Sequence, residues 1–149
     1  MPSDRIRPLA LALILDGPRT LVEEGYDEVK DKSYFRLIGG GIEFGETGEQ
    51  AMRRELREEI GAEASFVEYL ETLENLFVYG GAPGHELCRV YRVELADERL
   101  YELDELERLD RATGGERTQW AEVERFLSRR EPLYPDGAVE LLERVLPGS

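Results

Sequence analysis

Three carboxylates, Glu55, Glu58 and Glu59, stand at i, i+3 and i+4 within residues 40–62, which read GGIEFGETGEQAMRRELREEIGA. On an α-helix this spacing confines them to an arc of about 100°. Three like charges on one arc repel each other, and a helix gains nothing from them unless a cation sits among them. Their hard oxygens suit Mg²⁺, with Mn²⁺ as a substitute. The plainer reading is a solvated acidic face on which Arg54 and Glu58 form an i, i+4 pair. The glycine-rich loop ahead of the acids, with Gly40, Glu43, Gly45 and Glu46, separates the two readings, because a solvated face does not need it.

Several elements must position these residues. Thr47 reads as a helix N-cap with acids in the first turn, and Gly61 as the stop. Met52, Leu56 and Ile60 form the apolar stripe that docks such a helix on a sheet, and Arg53, Arg54 and Arg57 point the other way. The glutamates lie between, with Glu59 nearest the apolar edge. It is therefore the acid whose charge burial would penalise and a metal would relieve. Residues 9–15 form an apolar run, strand-like and closed by Asp16-Gly17-Pro18. Residues 20–23 pair with it after that turn, and residues 34–38 are a third strand. Residues 65–79 and 86–95 read as two long strands joined by a hairpin loop over 80–84. A polar stretch follows, with a short helix expected over 104–109 and a strand over 118–120. Amphipathic helices are expected over 121–128 and 138–146, separated by Pro132 and Pro135. The order of strands, helix, strands, helices gives an α+β fold.

The chain of 149 residues is expected to form one domain, residues 1–149. No apolar run approaches the length of a membrane span. Arg5, Arg7 and Pro8 lead into strand-like alternation rather than a signal peptide. The single cysteine, Cys88, fits a reducing, cytoplasmic setting and lies where a buried thiol is expected. A formal net charge of -14 argues against a nucleic-acid surface, which needs cations to displace counterions. An anionic chain can hold a polyphosphate only where a metal cancels charge locally.

The spacing resembles the Nudix box. A glycine (Gly40) and five residues precede Glu46. Seven residues then lead to Arg54-Glu55-Leu56, and Glu58-Glu59 and Gly61 follow. Ala62 stands where a branched aliphatic is usual, at some cost in packing. The resemblance implies an α/β/α sandwich around a central mixed sheet and a Mg²⁺-dependent pyrophosphohydrolase. Its substrate would be a nucleoside triphosphate or a nucleoside diphosphate linked to another group, with water attacking phosphorus. By resemblance Glu58 and Glu59 ligate the metal, Glu55 ligates a metal or takes a proton from water, and Arg54 orients the carboxylates. The Gly40 carbonyl is a further ligand, because a glycine loop lets backbone approach an ion. Two other readings stay open: an RNA-end or cap pyrophosphohydrolase, and a nucleotide sensor that has lost catalysis. A homodimer is also compatible.

Outside the box the residue readings are less constrained. Glu116 is the candidate for an additional metal-binding acid, with Glu102 and Glu105 competing. Glu46 is read as a metal-shell acid or as a cap or salt bridge. Arg36, Phe35, Phe77 and Tyr79 are candidates for a base pocket, by stacking and charge. Each is also an ordinary packing residue. His85, the sole histidine, is either a surface hydrogen-bonding group or a phosphate contact. Residues 133–137 are read as the cap of the last helix, with Tyr134 as a possible platform for a base.

Overall fold

The first strand explains why the molecule has two cores. β1 (Ile6–Leu13) is buried on both faces beyond its first three residues. Leu9, Leu11 and Leu13 face one apolar cluster, while Ala10, Ala12 and Ile14 face the other. A strand buried on both sides reads as a continuous apolar run, which is how residues 9–15 read. The structure, a computed structural model, describes residues 5–110 and 117–147.

The remaining strands are β2 (Leu15–Asp16), β3 (Arg19–Asp27), β4 (Lys32–Gly41), β5 (Ala64–Tyr79), β6 (Ala82–Leu95), β7 (Glu105–Leu106), β8 (Arg117–Glu122) and β9 (Leu133–Tyr134). The helices are α1 (Gly48–Ile60), α2 (Glu124–Leu127) and α3 (Ala138–Val145). Among the described residues the sheet runs β5-β6-β1-β4-β3-β8-β7, with β2 on β3 and β9 on β4. β1 pairs parallel with β6 and β4 parallel with β9, and the other pairings are antiparallel. α1 shares a core with Ala10 and Ala12, whose small side chains let a helix approach the sheet. α2 and α3 supply Phe126, Val139, Leu141 and Leu142 to the opposite core. The fold is thus α+β, with helices on both sides of a central mixed sheet.

β4 belongs to two ladders. Residues 38–41 pair with β1, and residues 32–37 pair with β3. The change falls between Leu37 and Ile38, just before Gly39, whose φ is +141° and where a Cβ would collide with the Ala10 carbonyl. Only glycine combines that backbone with so close an approach. Beyond it the β3–β4 hairpin tip meets the β5–β6 hairpin. Lys30 Nζ donates to the Val78 carbonyl at 2.8 Å, the Tyr79 hydroxyl to the Tyr26 carbonyl at 3.2 Å, and the Gly80 amide to Asp27 at 3.2 Å.

Three expectations need correction. Residues 104–109 are not a helix. A 3₁₀ turn covers Glu98–Glu102, and Glu105–Leu106 pairs with β8. The helix expected over 121–128 shortens to α2, because Ala121 and Glu122 pair with β3 and so belong to β8. The loop expected over 80–84 shrinks to Gly80 and Gly81, both at positive φ, as the tight hairpin turn requires.

Candidate active site

α1 begins with a capping box. Thr47 Oγ1 accepts from the Gln50 amide at 3.1 Å, and Gln50 accepts from the Thr47 amide at 2.9 Å. It ends at Gly61, in the left-handed region at φ +66°. Ala51, Met52, Leu56 and Ile60 are buried beneath it. Each large side chain taken from water contributes about 1.5–3 kcal/mol, enough to fix which face carries the acids.

The acids have different surroundings. Glu59 is 6% exposed, Glu55 is largely covered and Glu58 is half exposed. Burial pushes the Glu59 carboxyl up to about 9. The charge of Glu23 and a hydrogen bond with Glu55 act in the same direction, and Arg108 opposes them. Arg54 points into the acidic group rather than away from it, which corrects the helix-wheel reading. Its guanidinium meets Glu46 at 2.6 Å, Glu55 at 2.9 Å, Glu58 at 3.2 Å and the Gly41 carbonyl at 2.9 Å. The Arg54 hydrogen bond, with a second from the Glu43 amide, draws Glu46 down to about 2. Glu46 is therefore a salt-bridge partner in this arrangement.

Sequence reasoning missed two residues at this site, Glu23 on β3 and Arg108. Glu23 meets Arg108 at 2.6 Å, and Arg108 stands 4.0 Å from Glu59 and 2.8 Å from Asp110. The Leu109 amide donates to the Glu59 carbonyl at 2.8 Å, which fastens the loop bearing Arg108 to the end of α1. Alternation along β3 would have put Glu23 on the same face as Leu21, but no spacing motif ties β3 to α1.

The oxygens gathered at this end of α1 are of the hard type that divalent cations take. A Cβ at Gly40 would collide with the Glu55 carboxylate, so the bare backbone and that acid share a space only glycine leaves open. Burial disfavours the charged form of Glu59, and a cation beside it, like Arg108 at 4.0 Å, favours that form. Among the described residues, however, no three His, Cys, Asp or Glu side chains converge on one ion position. Glu55 and Glu58 are held by Arg54 instead. Glu116 lies outside the described residues. Of its competitors, Glu105 pairs with Arg117 at 2.9 Å, and Glu102 lies in the 3₁₀ turn.

A cavity of about 320 Å³ opens where β1, β4 and the β5–β6 hairpin meet. Arg36, Phe77, Tyr79 and Tyr134 line it. Arg36 connects it to the acids, since its Nε is 3.8 Å from Glu23. Phe35 does not line it. That ring is 5% exposed in the core, edge-on to Phe126 at 5.7 Å, because alternation along β4 turns it inward. His85 also lies outside the cavity lining, with Nε2 3.6 Å from Glu74. Cys88 is buried, and burial with the Glu86 charge pushes its thiol up to about 12, as for an inert core thiol.

The NUDIX domain model matches residues 6–143. Among solved structures, the chain resembles a MutT NUDIX hydrolase from Burkholderia pseudomallei at 19% identity. That match covers 95% of this chain and 99% of the other, with a TM-score of 0.64. A mutator MutT protein from Bacillus halodurans matches at 17% identity, over 96% and 84% of the two chains, with a TM-score of 0.63. The E. coli ORF135 protein matches at 24% identity, over 97% and 96%, with a TM-score of 0.55. At these identities the structural likeness speaks for the fold.

Proposed function

The chain belongs to the Nudix family and is a hydrolase of phosphorus-containing acid anhydrides, and from that premise we propose a Mg²⁺-dependent pyrophosphohydrolase acting on a small nucleotide. Its substrate is a nucleoside triphosphate or a nucleoside diphosphate linked to a second group. The observation that carries this reading is Glu59, buried beside Glu55 and Glu23 where its charge is disfavoured without a cation.

In this reading Glu58, Glu59, Glu55 and the Gly40 carbonyl hold the ion. When bound, the cation neutralises diphosphate oxygens and polarises the attacking water. Arg54 fixes the rotamers of Glu55 and Glu58 and tethers them to the glycine loop through the Gly41 carbonyl. Arg108 does the same for Glu59 and Glu23 from the other side. In the same reading Glu55, which lies between Arg54 and the Gly40 backbone, accepts a proton from water. The cavity takes the nucleoside, with Phe77, Tyr79 and Tyr134 as walls for a planar ring and Arg36 between ring and acids. A cytoplasmic setting belongs to the same proposal, supported by a buried single cysteine. Among the described residues no helix is long and apolar enough to cross a membrane.

The RNA-end reading has less support in a chain of net charge -14. The test is a panel of nucleoside triphosphates, nucleotide sugars and dinucleotides, assayed for phosphate-containing products with Mg²⁺, with Mn²⁺ and with chelator. Turnover confined to the metal-containing arms is expected. Metal-dependent nucleotide binding without turnover of any member would replace the enzyme by the sensor.

A further inference from the structure

The cavity is positively charged in a strongly acidic chain. Arg7, Lys30, Lys32 and Arg36 line it against only two carboxylates, Asp27 and Glu86. Lys30 and Lys32 are the chain's only lysines. These cations are also paired more loosely than most others among the described residues. Most other arginines bind a carboxylate or carbonyl at hydrogen-bonding distance, as Arg54 and Arg108 do. The closest carboxylate to Arg7 is Glu86 at 3.7 Å, and the closest to Arg36 is Glu23 at 3.8 Å, both beyond a hydrogen bond. Glu23 is already bonded to Arg108 at 2.6 Å. The Lys32 ammonium has no ion-pair or hydrogen-bond partner among the described residues. Lys30 uses one of its three donors on the Val78 carbonyl.

Their order along the strand is informative. Lys32, Tyr34 and Arg36 alternate on β4 and so project from one face. The Cα atoms of Lys32 and Arg36 are about 13 Å apart at the rise of an extended strand, a gap that two long side chains can narrow. Tyr34 lies between them, edge-on to Tyr79 at 5.6 Å. The face reads cation, ring, cation. A ligand with one anionic group would leave the Lys32 end without a partner, whereas a ligand with two anionic groups on one scaffold and a planar ring beside them would engage both cations and the tyrosine.

We infer that the cavity binds a nucleotide bearing a second phosphate, on the 2′ or 3′ position, away from the diphosphate that is cleaved. The Arg36 and Arg7 end meets the 5′ side, the tyrosines stack the base, and Lys32 with Lys30 meets the additional phosphate. This inference rests on the cavity being the substrate pocket, as proposed above, and it names the substrate class.

The test is calorimetric titration of the full chain, without divalent metal, by AMP, adenosine 2′,5′-bisphosphate and adenosine 3′,5′-bisphosphate. None of these contains a diphosphate, so the measurement does not depend on catalysis. One bisphosphate is expected to bind about tenfold more tightly than AMP, a preference that shrinks as salt rises. Lys32→Gln, at an exposed position that should not disturb folding, is expected to bring that ratio close to one. Equal affinities in the unmodified protein, no binding of any of the three, or a ratio that survives Lys32→Gln would overturn the inference. Metal-dependent hydrolysis with equal affinities would leave the pyrophosphohydrolase standing and remove only the second phosphate. The reverse result, a bisphosphate preference with no diphosphate hydrolysed, would remove the enzyme and keep the site.

Discussion

At the residue scale, the acids differ in what they can lose. Glu58 is half exposed and held only by Arg54, so Glu58→Gln should fold normally. In the proposed mechanism it removes one anionic ligand, and kcat is expected to fall by about two orders of magnitude or more. Near-normal kcat at saturating Mg²⁺, with an unchanged Tm, would remove Glu58 from the mechanism. Glu46 makes a separate, pH-dependent prediction. Its folded pKa, about 2, lies below the 4.5 of an ordinary glutamate. Its contribution is therefore complete above about pH 4.5 and is lost as pH falls towards 2. Chemical denaturation of Glu46→Gln should show a deficit near neutrality that closes over that window. A deficit that is constant with pH would mean that the Arg54 pairing is not its cause. These residues were not equally legible. The box acids stand out because spacing on one helix is written in sequence. Glu23 and Arg108 join them only because β3 and the loop after β7 fold against α1, and that contact leaves no local pattern.

At the element scale, α1 was legible because both of its ends are chemical. Thr47 with Gln50 starts it and Gly61 stops it. Thr47→Ala removes the acceptor for the Gln50 amide. It should cost about 1 kcal/mol and lower Tm by about 3 °C, with kcat little changed if the acids keep their arc. A loss of activity larger than the loss of stability would mean that the cap also holds the glycine loop. The misread elements were those set by tertiary pairing. Residues 105–106 are polar enough to suit a helix, yet β8 offers them a ladder. Ala121 and Glu122 fit a helical pattern equally well, but β3 was the stronger partner. Phe35 and Arg36 are neighbours in sequence, and the pleat of β4 sends one to the core and the other to the cavity.

At the scale of the whole molecule, the sheet divides the work. α1 presents the acids beside the Gly40 backbone, and the cavity opens where β1, β4 and the β5–β6 hairpin meet. A cation that binds the folded acids stabilises the fold by linkage, so Mg²⁺ should raise Tm in proportion to the logarithm of its concentration above Kd. The same titration on Glu55→Gln/Glu58→Gln/Glu59→Gln should give no shift, and an undiminished shift would place the ion elsewhere. The cavity was only partly legible, because its lining comes from β1, β4, the β5–β6 hairpin and the segment around β9, brought together by the change of ladder between Leu37 and Ile38. The central claim is attack of water on phosphorus, and hydrolysis in ¹⁸O-enriched water tests it most directly. With Mg²⁺ and any diphosphate compound turned over, mass spectrometry should find one label on a phosphate of a product, formed about two orders of magnitude more slowly, or slower still, by Glu58→Gln. Label on a sugar carbon instead of a phosphate would contradict the account.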